Sequence, residues 1–446
     1  MGLKRLMTEL ISRKSTETRK SLGVIASKQK YKIDDVALAW NMLANKEVPC
    51  IFRLSCTLKE NVDKENLHKA LTRILPRVPY FRVSLTKGFI WGKWMTNLTI
   101  PNIEDDEGYT NQYIPFGRKN LLFRILVKQN KIAVEFHHIL TDGYGSLVFL
   151  NSLLAEYFNL MGVITTDWDN ILHPGDEPDP QEFEDTFDLR YNEEVKEKPP
   201  KFWKRSFNIP IKAEPPGILY VSELTLPLKE IGEIAKKYQV TITSLLAALY
   251  IDSLAKIQEK IHKNKRRKLK PLRLRIPVNL RKIFDSKTMR NFALFVIPSI
   301  NPKMEQFTLE ELAVRINDFL KSNVQPDIFY RKIAQNRRKL DSLIMNTIPL
   351  PIKRFFARKG YYFVMTPYYS GTFSNLGKLS VPAQIACNID SYNFVLGHGP
   401  VNKAKIGVLS FENKLVLSFS RVIKEPILSE TFLENLASLD IKAELS

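Results

Sequence analysis

Two hydrophobic periods alternate along the first half of the chain. Residues 51–58 (IFRLSCTL) alternate between faces as a half-buried strand does, and residues 62–75 then place leucine, alanine and isoleucine at helical spacing. Residues 81–85 and 89–94 again favour strands. Strand, helix and further strands in this order predict an α/β layer.

A hairpin pattern follows, and a helix comes directly after it. Residues 121–128 and 131–138 are strand-like runs separated by the turn Gln129-Asn130. From 147 to 158, apolar side chains recur on one helical stripe. The sequence therefore predicts a hairpin whose second strand runs into a buried helix.

The junction between this strand and this helix carries the candidate chemistry. His137 and His138 end the strand, and Asp142 and Gly143 precede the helix. Side chains alternate across a strand, so the two imidazoles should point to opposite faces and only one can face a given cleft. Asp142 either orients a histidine, as in a hydrolase triad, or pairs with an arginine and holds the loop. Gly143 permits a tight turn with positive φ.

The second half of the chain repeats this pattern without the histidine pair. Residues 167–212 are proline-rich, with an acidic front and a basic back, which is typical of a linker or surface crossover. A strand at 219–226 and helices at 228–238 and 244–257 follow. Later strand candidates are 272–276, 294–297, 373–375, 406–411 and 415–420. Two α/β halves leave a cleft between them, where ligand sites tend to lie.

The length of 446 residues exceeds one compact core, which predicts more than one domain. We divide the chain into a basic N-terminal arm at 1–30, an N-terminal half at 31–175, a linker or crossover at 176–215 and a C-terminal half at 216–446.

The formal net charge of +20 is the strongest deviation in composition. It indicates an anionic partner, such as coenzyme A phosphates, an acidic carrier protein, an anionic membrane face or nucleic acid. No recognised nucleic-acid motif accompanies the charge, which argues against the last of these. Basic residues concentrate at 260–275, 331–339 and 353–359, and each cluster is either a binding surface or a solvated face. We expect the first cluster to lie near one mouth of the cleft and to bind this anionic partner.

Other classes of protein find little support. The three cysteines are too scattered for a disulfide framework or a zinc site, which favours a reducing cytoplasm. The most apolar run, 242–257, contains Asp252 and falls short of the roughly 18–20 residues that span a bilayer. A metal site is not expected, because His137 and His138 diverge and no other histidine lies at ligand spacing. Neither a G-x-S-x-G elbow nor a phosphate-binding P-loop occurs.

The segment His137-His138-x-x-x-Asp142-Gly143 resembles the signature of the HHxxxDG acyltransferase superfamily. That group includes chloramphenicol acetyltransferases, peptide-synthetase condensation domains, wax-ester synthases and alcohol O-acetyltransferases. The bacterial alcohol O-acetyltransferase-like branch is the most similar. Further matches occur in the family's order: Arg77-Val78-Pro79-Tyr80-Phe81-Arg82, Pro277-Val278-Asn279-Leu280-Arg281, Arg290-Asn291-Phe292 and Ser374-Asn375-Leu376-Gly377. The resemblance implies two chloramphenicol acetyltransferase-like α/β sandwich halves with an active-site channel between them.

The resemblance also implies roles for the motif residues. In the resembling family the second histidine of the pair is the catalytic one, so His138 would be the general base. Imidazole suits this role because its ordinary pKa, near 6.5, lies close to working pH. Asp142 would be structural, with Arg82 as its expected partner and Arg77 or Arg281 as alternatives.

The later motifs imply residues from the other half. Ser374 and Asn375 would face the cleft and supply oxyanion donors, although both are also common turn formers. Asn291 and Arg281 would shape the cleft, or else tie a loop to a strand.

These expectations make the protein an acyl-CoA-dependent O-acyltransferase acting on an alcohol. A carrier-protein donor, an amine acceptor and a non-catalytic interaction module of the same fold are the alternatives. No catalytic cofactor is expected, since a side chain moves the proton and acyl-CoA is a co-substrate. Peripheral contact with a membrane is compatible with the charge.

Overall fold

The computed structural model of this protein describes residues 33–86, 88–108, 110–190, 204–263, 265–304, 307–399 and 401–445. The arm expected at 1–30 and part of the expected crossover lie outside these ranges.

The strands and helices follow each other closely along the chain. The strands are β1 (Ile51–Leu58), β2 (Val83–Thr86), β3 (Lys93–Thr96), β4 (Ile103–Asp105), β5 (Phe123–Lys128), β6 (Lys131–His137), β7 (Tyr220–Pro227), β8 (Leu272–Asn279), β9 (Ala293–Val296), β10 (Ser299–Ile300), β11 (Gly371–Leu379), β12 (Ile389–Val395), β13 (Ala404–Phe411), β14 (Lys414–Arg421) and β15 (Glu444–Leu445). The α-helices are α1 (Asp35–Leu43), α2 (Lys64–Ile74), α3 (Gly143–Leu160), α4 (Thr186–Leu189), α5 (Leu228–Lys237), α6 (Ile242–His262), α7 (Arg281–Phe284), α8 (Leu309–Asn323), α9 (Pro326–Asp341), α10 (Leu343–Thr347), α11 (Leu350–Gly360), α12 (Ala383–Ala386) and α13 (Ile427–Ala437).

Two large sheets organise the molecule. The first has five strands in the order β12-β1-β6-β5-β4, and the second has eight, in the order β10-β8-β11-β13-β14-β7-β15 with β9 beside β8. Helices α2 and α3 cover one face of the first sheet, and α6 covers one face of the second. The predicted α/β class with two halves is confirmed.

Apolar periodicity explains why α2 and α3 form where they do. Asp63 caps the start of α2 by accepting the amide N–H groups of Glu65 and Asn66, and the buried stripe of α2 contains Leu67 and Leu71. Helix α3 is buried over most of its length, and its fully buried Phe149 packs edge to face against Phe123 of β5 and Phe136 of β6. This packing holds the end of β6, where the histidine pair stands.

One strand crosses between the halves of the sequence. β12 pairs antiparallel with β1, with Arg53 opposite Val395. A segment from beyond residue 216 thus completes the first sheet, and the backbone oxygen of Phe394 closely approaches Gly407 of β13 in the second. The two sheets meet at this point.

The expected crossover is anchored rather than loose where it is described. Glu182 is buried and accepts two hydrogen bonds of 2.6 Å from the guanidinium of Arg77. Its backbone oxygen accepts the amide of Met289 at 2.6 Å. The crossover therefore connects the first half of the chain to the loop that follows α7.

No single helix among the described residues has the length and apolarity to cross a membrane. The pair Leu228–Lys237 and Ile242–His262, bent by 89°, meets that criterion together by length and composition alone.

Candidate active site

His138 lies immediately beyond β6, at the edge of the first sheet. Its backbone amide donates to the backbone oxygen of Cys50 at 2.7 Å, which continues the pairing of β6 with β1. Its ring stacks on Trp40, with centroids 4.9 Å apart and planes inclined by 16°. Phe52 packs on it at 4.8 Å. Two aromatic side chains thus fix the plane of the half-buried imidazole. Sequence reasoning missed Trp40, because it lies almost a hundred positions away and belongs to no motif.

Asn291 holds the same imidazole through two hydrogen bonds. Its Nδ2 donates to the backbone oxygen of His138 at 2.8 Å, and its Oδ1 lies 3.1 Å from Nδ1 of the ring. A carboxamide oxygen can only accept, so Nδ1 must carry the proton. Neutral His138 then has its lone pair on Nε2, for which the described residues offer no hydrogen-bond partner. This tautomer is the one that a general base acting through Nε2 requires.

The surroundings of His138 favour a neutral ring. Burial lowers the pKa of His138, while the bond to Asn291 and the charge of Asp142 oppose that effect and Lys405 adds to it. A base that is neutral before the reaction is ready to accept a proton.

His137 has a different environment, as the alternation of side chains predicts. It is fully buried, packs 5.0 Å from the ring of Phe116, and accepts the amide of Ile139 on Nδ1 at 3.2 Å. Burial, with a contribution from His138, lowers the pKa of His137 to about 3. This arrangement gives His137 a structural contact rather than access to a cleft.

The carboxylate of Asp142 is saturated by donors other than the imidazole. Oδ1 accepts the amides of Tyr144 and Gly145 at 3.2 Å each. Oδ2 accepts the amide of Phe292 at 2.8 Å and Nη1 of Arg281 at 2.9 Å. Asp142 therefore caps α3 and ties it to the loop after α7.

The expected pairing of Asp142 with Arg82 is wrong. Arg82, directly before β2, donates to the backbone oxygen of Leu98, just after β3, at 2.7 Å. Arg281, one of the alternatives, is the partner instead. It is buried and also donates to the backbone oxygen of Thr288 at 2.7 Å. Arg82 was expected because of its position after the first helix of the sequence. The packing of the two halves instead brings Arg281, from the second half, to the carboxylate of Asp142.

The expectation of positive φ at Gly143 is also wrong. Gly143 begins α3, and the motif glycine whose φ lies in the left-handed region is Gly377, at +84°. The position at which only glycine fits is Gly145, because an added Cβ would lie 2.3 Å from the backbone oxygen of Met289. The sequence Gly143-Tyr144-Gly145 was a signal for such a close approach.

Ser374 and Asn375 have different partners on β11. Asn375 donates to Oγ1 of Thr243 at 3.0 Å and accepts the amide of Gly377 at 2.8 Å, so it ties β11 to α6. Ser374 is buried on the face opposite Phe373, whose ring packs into the core of the second half. Of the two, only Ser374 faces away from that core.

A row of polar and cationic side chains lies on the face of the second sheet that carries Ser374. Arg275 of β8 pairs in register with Thr372 of β11, and Lys405 of β13 lies next to Thr372, because Phe373 pairs with Ile406. Burial, together with Arg275, lowers the pKa of Lys405 to about 8. Lys405 was absent from the sequence predictions, since one lysine within a strand carries no motif.

Lys405 links this row to the end of the first sheet. Its Nζ donates to the backbone oxygen of Gly397 at 2.6 Å. The next residue, His398, is buried, and its ring nitrogens have no hydrogen-bond partner among the described residues. Burial, together with Lys405, lowers the pKa of His398 to about 4. Imidazoles whose pKa burial lowers and the cation of Lys405 therefore lie close to one another where the two sheets meet.

The basic cluster at 260–275 does not form one surface. Arg273 is buried and donates to the backbone oxygen of Lys204 at 2.8 Å, and Arg275 lies 4.1 Å from the ring centre of Phe295. The exposed part, around Lys265, precedes β8, whereas Arg281 follows the other end of that strand. Eight residues at about 3.3 Å each place them roughly 25 Å apart. The exposed part of the cluster therefore does not lie beside Arg281. That the cluster lies near one mouth of the cleft and binds the donor stays a prediction.

Several solved structures have a similar fold, although sequence comparison finds no match. No protein-family model matches the sequence, and no curated protein matches it by sequence. Polyketide synthase associated protein 5 from Mycobacterium tuberculosis superposes with a TM-score of 0.59 at 13% identity, covering 92% of this chain and 99% of that one. TRI101 from F. sporotrichioides, complexed with coenzyme A and T-2, gives 0.60 at 12%, covering 94% and 100%.

The first condensation domain of the calcium-dependent antibiotic synthetase, in complex with a substrate analogue, gives a TM-score of 0.61 at 11% identity, covering 94% of this chain and 100% of that one. At such identities the likeness concerns the fold. The chain therefore has the two-lobed α/β fold that condensation domains share with these coenzyme A-bound and synthase-associated proteins.

Proposed function

We propose that this protein is an acyltransferase that moves an acyl group from a coenzyme A thioester to an alcohol, with His138 as the general base. The observation that carries the proposal is the contact between Asn291 Oδ1 and His138 Nδ1, at 3.1 Å. It fixes the proton on Nδ1 and leaves the lone pair of Nε2 available.

In the proposed reaction Nε2 of His138 first accepts a proton and later returns it. Nε2 takes the proton of the acceptor hydroxyl as its oxygen attacks the thioester carbonyl, which gives an oxyanion intermediate. The carbon–sulfur bond then breaks, and the imidazolium returns the proton to the leaving thiolate. The buried hydroxyl of Ser374 is the proposed oxyanion donor, because preorganised donors stabilise such charge. This scheme needs no catalytic cofactor.

The proposed donor is supported by the ligands of proteins with a similar fold. Two solved relatives in fold are described in complex with coenzyme A or an acyl-coenzyme A, which supports a thioester donor. The same proposal includes acetyl as the transferred group and an alcohol as the acceptor. It also includes similarity to the bacterial alcohol O-acetyltransferase-like branch and a cytoplasmic location. A carrier-protein donor and an amine acceptor use the same proton shuttle.

A thiol-release assay tests the proposal. The full-length protein is incubated with acetyl- and longer acyl-coenzyme A thioesters and a panel of alcohols and amines, and products are identified by mass spectrometry. Ester products support the proposal, and amide products favour the amine alternative. If neither esters nor amides form from the acetyl or the longer acyl thioesters, the proposed acyl transfer is wrong. His138→Ala should lower the rate on the order of 10²–10⁴-fold. The matched control is His173→Ala, which removes a surface imidazole.

A further inference from the structure

The segment from α10 to the turn after α11 exposes an unusual number of large apolar side chains. They are between 46% and 79% exposed: Ile352, Phe355, Phe363, Phe356 and Leu343. Phe89 adds to this surface, because its backbone oxygen accepts the amide of Leu350 at 2.8 Å. A soluble chain ordinarily hides such groups, so an exposed cluster marks a contact surface. We call these six residues the apolar patch.

The polar side of α11 faces inward instead. Arg354 donates to Oδ1 of Asn41 at 2.7 Å, and Arg358 donates to the backbone oxygen of Ala44 at 2.9 Å. Lys353 is buried, with its Nζ 3.3 Å from the ring centre of Trp91. These contacts hold the helix with its phenylalanines outward. The exposure of the patch is thus built into the packing of α11 on α1.

A groove of about 800 Å³ opens beside the patch. Phe355 and Phe363 line it together with Arg354, Arg358 and Lys359. Glu47 also reaches it and accepts the hydroxyl of Tyr362 at 2.7 Å. Among the described residues, no carboxylate forms an ion pair with these three cations. Apolar walls beside three cations that form no ion pair within the described part of the chain, with one carboxylate nearby, fit an amphiphile with an anionic head.

Charge decides between the possible occupants of this surface. Residues 342–389 contain five Lys or Arg and no Asp or Glu. A second copy of the chain carries the same +20, and residues 1–32 carry nine Lys or Arg against two Glu, so both self-occupants would be repelled. Exposed phenylalanines among lysines and arginines are the composition of segments that lie in a bilayer interface. Anionic lipid headgroups supply the opposite charge.

We propose that the apolar patch and its flanking cations bind the surface of an anionic lipid bilayer. The contact would bring the candidate active site to the membrane, because Asn41, which holds Arg354, directly follows Trp40, which stacks on His138. The proposal concerns the surface alone and does not depend on the proposed acyl transfer.

Co-sedimentation of the full-length protein with vesicles tests it. Vesicles contain either phosphatidylcholine alone or phosphatidylcholine with about one third phosphatidylglycerol, at physiological and at high salt. We expect binding to the anionic vesicles and weak or no binding to the neutral ones, with a loss of binding at high salt. Absence of binding to both kinds of vesicle overturns the proposal.

Variants locate the contact. Phe355→Ser combined with Phe356→Ser and Phe363→Ser should weaken binding roughly tenfold or more, because the inserted apolar area is lost. The matched control combines Leu98→Ser, Ile164→Ser and Leu189→Ser, three exposed apolar side chains elsewhere, and should leave binding unchanged.

A charge variant gives a second, milder probe. Lys359→Glu should weaken binding to anionic vesicles and leave binding to neutral ones unaltered, whereas Lys236→Glu at the exposed end of α5 should change little. If the triple phenylalanine variant melts like the parent and still binds vesicles as tightly, the patch is not the contact. If the parent binds no vesicles but associates with itself or with an acidic protein through the patch, the lipid assignment is wrong.

Discussion

The amide of Asn291 contacts His138 twice, at the backbone oxygen and at Nδ1 of the ring, from a loop 153 positions further along the chain. One side chain therefore fixes both the position of the histidine backbone and the tautomer of its ring. The next amide along that loop, from Phe292, binds Asp142. The loop after α7 thus holds the base and the start of α3 together.

Replacing Asn291 with Asp should raise the pKa of His138. Aspartate keeps an oxygen for Nδ1 but places a negative charge beside the ring, which stabilises the imidazolium. The acidic limb of the pH profile of kcat/KM should move to higher pH, and NMR titration of the ring should show the same direction. Asn291→Ala, which adds no charge, serves as the comparison. A profile of Asn291→Asp that matches the parent would show that His138 does not govern that limb.

Asp142→Asn should destabilise the fold strongly. It neutralises a buried carboxylate and leaves Arg281 buried without its counter-charge, which costs roughly 3–5 kcal/mol. Urea unfolding measures the loss. Arg281→Met should have a similar effect, and the double variant should lose less than the sum of the two, since the pair interacts directly.

Arg82→Met is the control for the corrected pairing. Its loss removes one hydrogen bond to a backbone oxygen, at a cost of about 1 kcal/mol. Equal destabilisation by Arg82→Met and Arg281→Met, or an additive double variant of Asp142 and Arg281, would contradict the pairing described above. A large rate loss in Asp142→Asn with an unchanged melting temperature would favour an orienting role.

Gly145→Ala should be more damaging than Gly143→Ala. At Gly145 the new Cβ meets the backbone oxygen of Met289 at 2.3 Å, and neither partner can move without shifting the loop that carries Asn291. At Gly143 it meets the side chain of Leu376 at 2.7 Å, which can change rotamer. We expect a loss of roughly 1–3 kcal/mol for Gly145→Ala.

Thermal unfolding of the two glycine variants provides the comparison. Both substitutions lie in the first turn of α3, so the intrinsic preference of a helix for alanine is shared and cancels. Equal melting temperatures would show that the loop after α7 does not pack as closely as described.

His137→Asn should make the protein less sensitive to acid. Burial lowers the folded-state pKa of His137 to about 3 from an ordinary value of 6.5, so the unfolded chain takes up a proton first as pH falls. Above pH 6.5 the imidazole is neutral in both states, and His137 does not lower the free energy of unfolding. Between pH 6.5 and about 3 its protonation in the unfolded chain lowers that free energy by roughly 1.4 kcal/mol per pH unit as the pH falls.

Asparagine keeps an oxygen that can accept the amide of Ile139 but does not titrate. The difference in unfolding free energy between parent and His137→Asn should therefore be constant above pH 7 and shift in favour of the variant towards pH 4.5. Urea titrations at several pH values measure it. A difference that stays constant over the whole range would mean that His137 protonates as readily in the folded state as in the unfolded one.

Local periodicity determined much of the first half in advance. The alternation at 131–138 predicted β6, the stripe at 147–158 predicted the body of α3, and the opposite environments of His137 and His138 follow from the pleat of a strand. These features depend on neighbours in sequence, where side-chain direction is set by backbone geometry.

Tertiary structure alone decided which distant residues meet. Arg281 rather than Arg82 reaches Asp142, Trp40 stacks on His138, and β12 joins the first sheet from the far end of the sequence. Such contacts depend on how two sheets and the loop after α7 approach in space, and many arginines or aromatic residues fit a carboxylate or an imidazole equally well by type. The sequence by itself therefore determined where the base stands, because strand and helix periods are local. Only the packing of the two halves decided what holds it, because that packing selects one partner among chemically equivalent candidates.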